Sequence, residues 1–178
     1  MDIQGKAMNG AFAALTKYGV RHFPKPQYKK VVREEIRIPL QDGTKLFAVL
    51  HRPDAEGEFP VILVRNPYVS NYLAYDNLLP FFAEQGYVGV YVSVRGALES
   101  EGEWMPFEHE TDDGHEVISW VADQPWCNGK IGAMGQSYLG YTQWSVAACE
   151  HPALKTLFLE VSGAEPYDIF WRRGMFRQ

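Results

Sequence analysis

Lys130-Ile131-Gly132-Ala133-Met134-Gly135-Gln136-Ser137-Tyr138-Leu139-Gly140-Tyr141-Thr142-Gln143-Trp144 decides how this chain folds. A short apolar stretch runs into Gly135-Gln136-Ser137 and passes directly into a segment of helical character. A serine on such a tight strand-to-helix turn needs small neighbours, because larger ones clash with the crossing backbone. Gly132, Gly135 and Gly140 are the residues expected to supply that room. The turn also sets Ser137 at the N-terminus of the following helix, whose free N–H groups favour negative charge. The backbone N–H of Tyr138, directly after the serine, is the expected donor to a developing oxyanion. The common pattern is G-x-S-x-G, whereas here Leu139 holds the fifth place and glycine follows at 140. On these residues alone, a structural serine and a nucleophile are both open.

The sequence before the elbow supplies the rest of a sheet. VVREEIRIPL alternates Ile36, Ile38 and Leu40 against Arg33, Glu35 and Arg37, the period of a half-buried strand. Gln41-Asp42-Gly43-Thr44 is a turn, and KLFAVLHRP returns as the second strand of a hairpin. FPVILVRNPY carries a continuous apolar run from Val61 to Val64, as in a strand buried on both faces. Helical spacing over Tyr75 to Gln85 ends at Gly86, YVGVYVSV is a further strand, and Thr111 to Ala122 reads as a helix. Asp112 and Asp113 complement the dipole of that helix and are expected to be solvated. After the elbow come a helix from 138 to about 149 and a strand in LKTLFLEVSG. A hairpin followed by strand–helix units predicts an α/β fold with a mainly parallel sheet.

In such sheets ligands bind beyond the carboxyl ends of the strands. Val64-Arg65-Asn66-Pro67-Tyr68 leaves one such end and Ser137 leaves another. The Tyr68 hydroxyl is therefore a candidate second donor to an oxyanion, against the plainer reading of a loop tyrosine packed on the surface.

Composition narrows the remaining classes. The 178 residues carry 17 Lys plus Arg against 22 Asp plus Glu, a formal net charge of −5, with 46% apolar residues. That is globular, and the isolated pairs Lys29-Lys30 and Arg172-Arg173 offer no basic surface for nucleic acid. The first residues lack a continuous apolar run, so neither a secretory signal nor a membrane span is expected and a cytoplasmic location is the default. Ile3, Ala7, Phe12 and Leu15 would line one face of a short docking arm. Cys127 and Cys149 read as buried thiols. GKIGAMG lacks the Lys-Ser/Thr ending of a phosphate loop, and His109 and His115 fall on different helix faces, so no metal or other cofactor is expected. Glu99, Glu101 and Glu103 read as a solvated loop rather than a site for a substrate amine.

The chain resembles the Xaa-Pro dipeptidyl-peptidase and cocaine-esterase-like serine hydrolases from about Ile36 to Tyr167. IPLQDGTKL, HRPD, PVILVRNPY, the VRG and SEGEW stretch at 94–104, DGHEVISWVADQPWCNGKIG at 113–132 and GQSYLGYTQW at 135–144 carry the resemblance. That family writes its elbow G-x-S-Y-x-G, which residues 135–140 match. The resemblance implies an α/β-hydrolase fold, Ser137 as the acylated nucleophile, the Tyr68 hydroxyl and Tyr138 N–H as the oxyanion hole, and ester, amide or short peptide substrates. Two departures border the site. Ser93 stands where the family has Asp, and the loop after V-R-G reads Ala97-Leu98-Glu99.

A serine needs a base, and in this fold the order is Ser, then Asp or Glu, then His. Only His151 follows Ser137, at roughly 20 Å along a helix. It reads as a histidine favoured by the dipole at a helix C-terminus. Asp168 has no later histidine to orient. Two hypotheses follow: a serine hydrolase completed by further sequence, or a non-catalytic remnant serving as a binding domain. Residues 1–30, ending in the Pro- and Lys-containing HFPKPQYKK, read as an arm and linker; by the resemblance, 31–178 are the N-terminal portion of a domain whose cap, triad Asp and His and C-terminal β domain lie outside it. The expectation is an inactive segment that self-associates through an exposed sheet edge.

Overall fold

The computed structural model describes residues 25–165, 167 and 171–176. The proposed docking face of Ile3, Ala7, Phe12 and Leu15 lies outside the described residues, as does Asp168. The chain order is β1 (Val31–Pro39), β2 (Lys45–Pro53), β3 (Phe59–Asn66), a 3₁₀ turn (Val69–Asn71), α1 (Tyr72–Glu84), β4 (Val88–Ser93), α2 (Glu110–Ala122), β5 (Cys127–Gln136), α3 (Tyr138–Ala147) and β6 (Leu154–Glu160). A small ribbon of β7 (Trp171–Arg172) and β8 (Met175–Phe176) follows.

Six strands form one sheet in the order β1-β2-β4-β3-β5-β6. The hairpin β1–β2 and the β2–β4 pair are antiparallel. From β4 through β3, β5 and β6 every pair is parallel. This is the mainly parallel sheet opened by a hairpin that the strand–helix alternation predicts.

Both faces of the central strands are covered, which explains their unbroken apolar runs. In β2, Leu46, Ala48 and Leu50 join Val117, Ile118 and Val121 of α2 and Val146 of α3 in one core cluster. The alternate residues Phe47 and Val49 pack with Leu79 of α1, Val64 and Tyr91 in the second. The helix α1 lies close on β4: a Cβ on Gly89 would sit 2.7 Å from Leu79 Cβ. α1 begins three residues before the expected Tyr75, because a 3₁₀ turn delivers the chain into helix at Tyr72. Gly86, at φ +88°, ends the turn after it as expected.

Among the residues read as linker, the Gln27 and Tyr28 N–H groups both donate to the Glu84 carbonyl, and the Tyr28 ring meets Phe59 edge-on. At the other edge, among the described residues, β6 pairs with β5 alone, and Phe158 within it and Val161 just after it are exposed. No helix among the described residues is long and apolar enough to cross a membrane. Cys127 is a buried free thiol, and Cys149 a half-buried one.

Candidate active site

The parallel pairing brings the relevant strand ends together. Leu63 of β3 faces Ala133 of β5, so the two strands finish side by side at Asn66 and Gln136. Tyr68 leaves the first end and Ser137 the second.

Ser137 is the single residue between β5 and α3, with φ 58° and ψ −125°. A residue with a Cβ is strained there, by about 1–3 kcal/mol. Its amide donates to the Glu160 carbonyl at 2.9 Å, tying the elbow to the end of β6. Its carbonyl accepts from the Gly140 and Tyr141 amides at 2.9 and 3.1 Å. The exposed side chain makes no capping hydrogen bond. The turn leaves the first-turn amides of Tyr138 and Leu139 without intrahelical acceptors.

The elbow closes only over glycine. A Cβ on Gly135 would lie 2.3 Å from the Leu139 carbonyl oxygen, and one on Gly140 2.5 Å from Ser162 Cβ. Gly132 differs from the expectation. Its Cβ would meet Thr156 Cγ2 at 3.1 Å, within the sheet and away from the turn. It supplies no room to the elbow.

Tyr68 is half-buried, and its amide donates to Asn66 Oδ1 at 2.8 Å. Its ring lies 6.3 Å from that of Tyr138. The two tyrosines singled out from the sequence are thus neighbours, and Ser137 precedes one of them in the chain. The Tyr138 ring is also flanked by Trp104 and Phe107. Beside the elbow, a cleft of about 190 Å³ is lined by Asn71, Tyr75, Leu78, Met134, Gln136, Phe158 and Glu160. Burial, and secondarily the Glu160 carboxylate, push the Tyr75 phenol up.

Behind these residues sits a buried ionic network that sequence reasoning missed. Arg65, 1% exposed, donates from Nη2 to Glu110 Oε2 at 2.9 Å, and from Nη1 to the Glu110 and Thr142 carbonyls. The Tyr138 hydroxyl donates to Glu110 Oε1 at 3.0 Å and accepts from the Phe107 amide at 2.8 Å. Burial, then the neighbouring Glu110 charge, raise the Tyr138 phenol well above its ordinary value. The one sequence signal was an arginine closing the apolar run of β3.

The first turn of α2 is therefore not the solvated acidic turn the sequence suggested. Asp112 is exposed, but Glu110 and Asp113 are buried. Asp113 accepts from Arg95 Nη2 and Nε, at 2.7 and 3.0 Å. The loop of Glu99, Glu101 and Glu103 is exposed as expected, with Glu99 paired to Arg37 and Glu101 Oε2 accepting from the Lys45 amide at its surface. Ser93, in place of the family's Asp, donates to the Ala97 carbonyl and so closes that loop itself.

The histidines stand elsewhere. His51 is buried with Nε2 2.8 Å from Asp76 Oδ1, and burial lowers its pKa. His151 lies past the end of α3, in the turn before β6. Its Nδ1 accepts from the Ala153 amide, and its Nε2 is 3.2 Å from Ser119 Oγ. Burial, then the neighbouring His115, lower its pKa, the opposite direction to that expected of a dipole-favoured cation. Among the described residues no histidine hydrogen-bonds Ser137.

Comparison with known proteins agrees with this architecture. The chain is 37% identical over 144 residues to a cocaine esterase from a Rhodococcus species, covering 79% of this chain and 25% of that protein. It is 27% identical over 111 residues to the Xaa-Pro dipeptidyl-peptidase of Lactobacillus helveticus, covering 53% of this chain and 14% of that protein. A CocE/NonD family hydrolase from Staphylococcus aureus superposes with a TM-score of 0.65 at 34% identity, over 72% of this chain and 27% of that one. An alpha-amino acid ester hydrolase does so with a TM-score of 0.61 at 30% identity, over 76% and 26%. The chain thus spans about a quarter or less of the length of these proteins. The X-Pro dipeptidyl-peptidase (S15) family matches residues 42–178, the whole elbow included, and the chain belongs to that family.

Proposed function

We propose that this chain carries the nucleophile and the oxyanion-binding half of a serine hydrolase acting on acyl esters, amides or short peptides. The observation that carries the reading is the backbone of Ser137, held at φ 58° and ψ −125° with its side chain exposed and uncommitted to a helix cap. A serine serving only the turn would gain by relaxing out of that region.

In the reaction, Ser137 Oγ bonds to the substrate carbonyl carbon, and the carbonyl electron pair moves onto oxygen. The Tyr138 N–H and the Tyr68 hydroxyl stabilise that oxyanion. The Oγ proton passes to a base and then to the leaving alcohol or amine as the acyl-enzyme forms. Water repeats the sequence to free the acid. His51 and His151 are engaged elsewhere and no described histidine hydrogen-bonds Ser137, so the base and its orienting acid are assigned to sequence beyond the described residues. The names of the relatives, a cocaine esterase and Xaa-Pro dipeptidyl-peptidases, supply the ester and peptide substrate classes.

Without other triad members, only about 10³–10⁴-fold catalysis over water remains. Fluorophosphonate labelling followed by peptide mass mapping tests the reading. Slow labelling of Ser137 on prolonged incubation, well below the rate of a base-activated serine and lost in Ser137→Ala, together with p-nitrophenyl ester turnover below about 1 s⁻¹ for these 178 residues, is the expected result. Absence of label, or label that persists in Ser137→Ala, refutes the nucleophile. Turnover at ordinary enzyme rates refutes the missing base.

A further inference from the structure

From the buried network we infer that Glu110 is a positioning residue for the oxyanion-binding turn, acting through the Tyr138 hydroxyl. The inference rests on the reading of Ser137 given above, but its structural content is testable without catalysis.

The first turn of α3 must hold the Tyr138 amide at a fixed point, although Ser137 beneath it is strained and makes no capping bond. Strain of that kind persists only where the surroundings over-determine the geometry. The Tyr138 side chain provides the determinant. Its hydroxyl donates to Glu110 Oε1 and accepts from the Phe107 amide, so both its donor and an acceptor site are used. A hydrogen bond to a buried carboxylate is stronger than one between neutral groups.

Glu110 is itself immobilised. Its other oxygen takes Arg65 Nη2, and its carbonyl takes Arg65 Nη1. Arg65 is one residue before Asn66, whose side chain fixes the Tyr68 amide. Arg65 Nη1 also donates to the Thr142 carbonyl of α3 at 2.9 Å. One carboxylate therefore ties the strand that delivers Tyr68 to the helix that delivers Tyr138. Gly114 makes this possible: a Cβ there would lie 2.2 Å from Arg65 Nη1. The two proposed oxyanion donors are held in mutual register through Glu110.

Tyr138→Phe removes the hydroxyl and leaves the Arg65–Glu110 pair in place, which makes it the mildest test. Amide hydrogen exchange at Gly140 and Tyr141, the amides bonded to the Ser137 carbonyl, should quicken at least about tenfold in Tyr138→Phe and in Glu110→Gln. Core amides at Leu63 and Val90 should be unchanged in Tyr138→Phe. Tyr141→Phe, which alters a neighbouring ring outside the network, should leave Gly140 exchange and the rate of fluorophosphonate labelling as they are. In Tyr138→Phe the labelling rate should fall about tenfold with the elbow exchange. Unchanged Gly140 and Tyr141 exchange in Tyr138→Phe, or equal effects in Tyr141→Phe, overturns the inference. If exchange quickens as stated while the parent protein takes no label, the positioning stands and the hydrolase reading falls.

Discussion

The guanidinium of Arg95 grips the carboxylate of Asp113 with two hydrogen bonds, at 2.7 and 3.0 Å. The same arginine reaches Asp42 and Thr44 in the turn between β1 and β2. One side chain thereby joins the hairpin, the loop after β4 and the first turn of α2. Asp113→Ala leaves a largely buried arginine without its main partner and should destabilise the protein by about 3 kcal/mol in urea unfolding. Arg37→Ala, which breaks the exposed pair with Glu99, should change stability by less than about 1 kcal/mol. Equal effects for the two would contradict the burial argument.

The glycines of the elbow divide in the same way. Gly135→Ala drives a Cβ into the Leu139 backbone, where no side chain can move aside. A loss of several kcal/mol, on the order of 3 or more, or failure to fold, is expected. At Gly132 the obstacle is the end of the Thr156 side chain, and Gly132→Ala should shift stability by less than about 1 kcal/mol. Thermal unfolding of the pair separates a turn requirement from a sheet position.

Acid should destabilise the fold through His51. Burial lowers its pKa in the native state, against the opposing pull of Asp76, while Arg33 beside them adds to the lowering. The unfolded chain therefore binds more protons than the native one below about pH 6.5. Stability is complete above that value and declines as pH falls from it toward the lowered native pKa. His151 contributes in the same direction. Unfolding free energies measured at pH 7.5 and 5.5 should show the decline. His51→Gln with His151→Gln should flatten it, and an undiminished slope in the double variant would place the effect elsewhere.

The strands and their order of use were legible because two-sided burial leaves an unmistakable trace, the runs Val61–Val64 and Val88–Val92. The elbow was legible because Gly135 answers to the backbone of Leu139, only four residues away. Arg65, Glu110, Arg95 and Asp113 were not. Their burial depends on partners 18 to 45 residues distant, and an acidic first turn looks alike whether it meets water or a buried guanidinium. The same limit applied to Gly132, whose spacing suggested the turn but whose neighbours are Thr156 of β6 and Val61 and Ile62 of β3. The start of α1 was misjudged because a 3₁₀ turn has no apolar period of its own.

The backbone of Ser137 also sets a direction for mutational drift. Glycine is the replacement that removes the strain at φ 58° without adding a contact. Selection on stability alone would thus favour Ser137→Gly, and the hydroxyl would be among the first groups lost from a lineage that no longer used it. Any selection that held a serine at this turn would therefore have to act on the oxygen rather than on the fold.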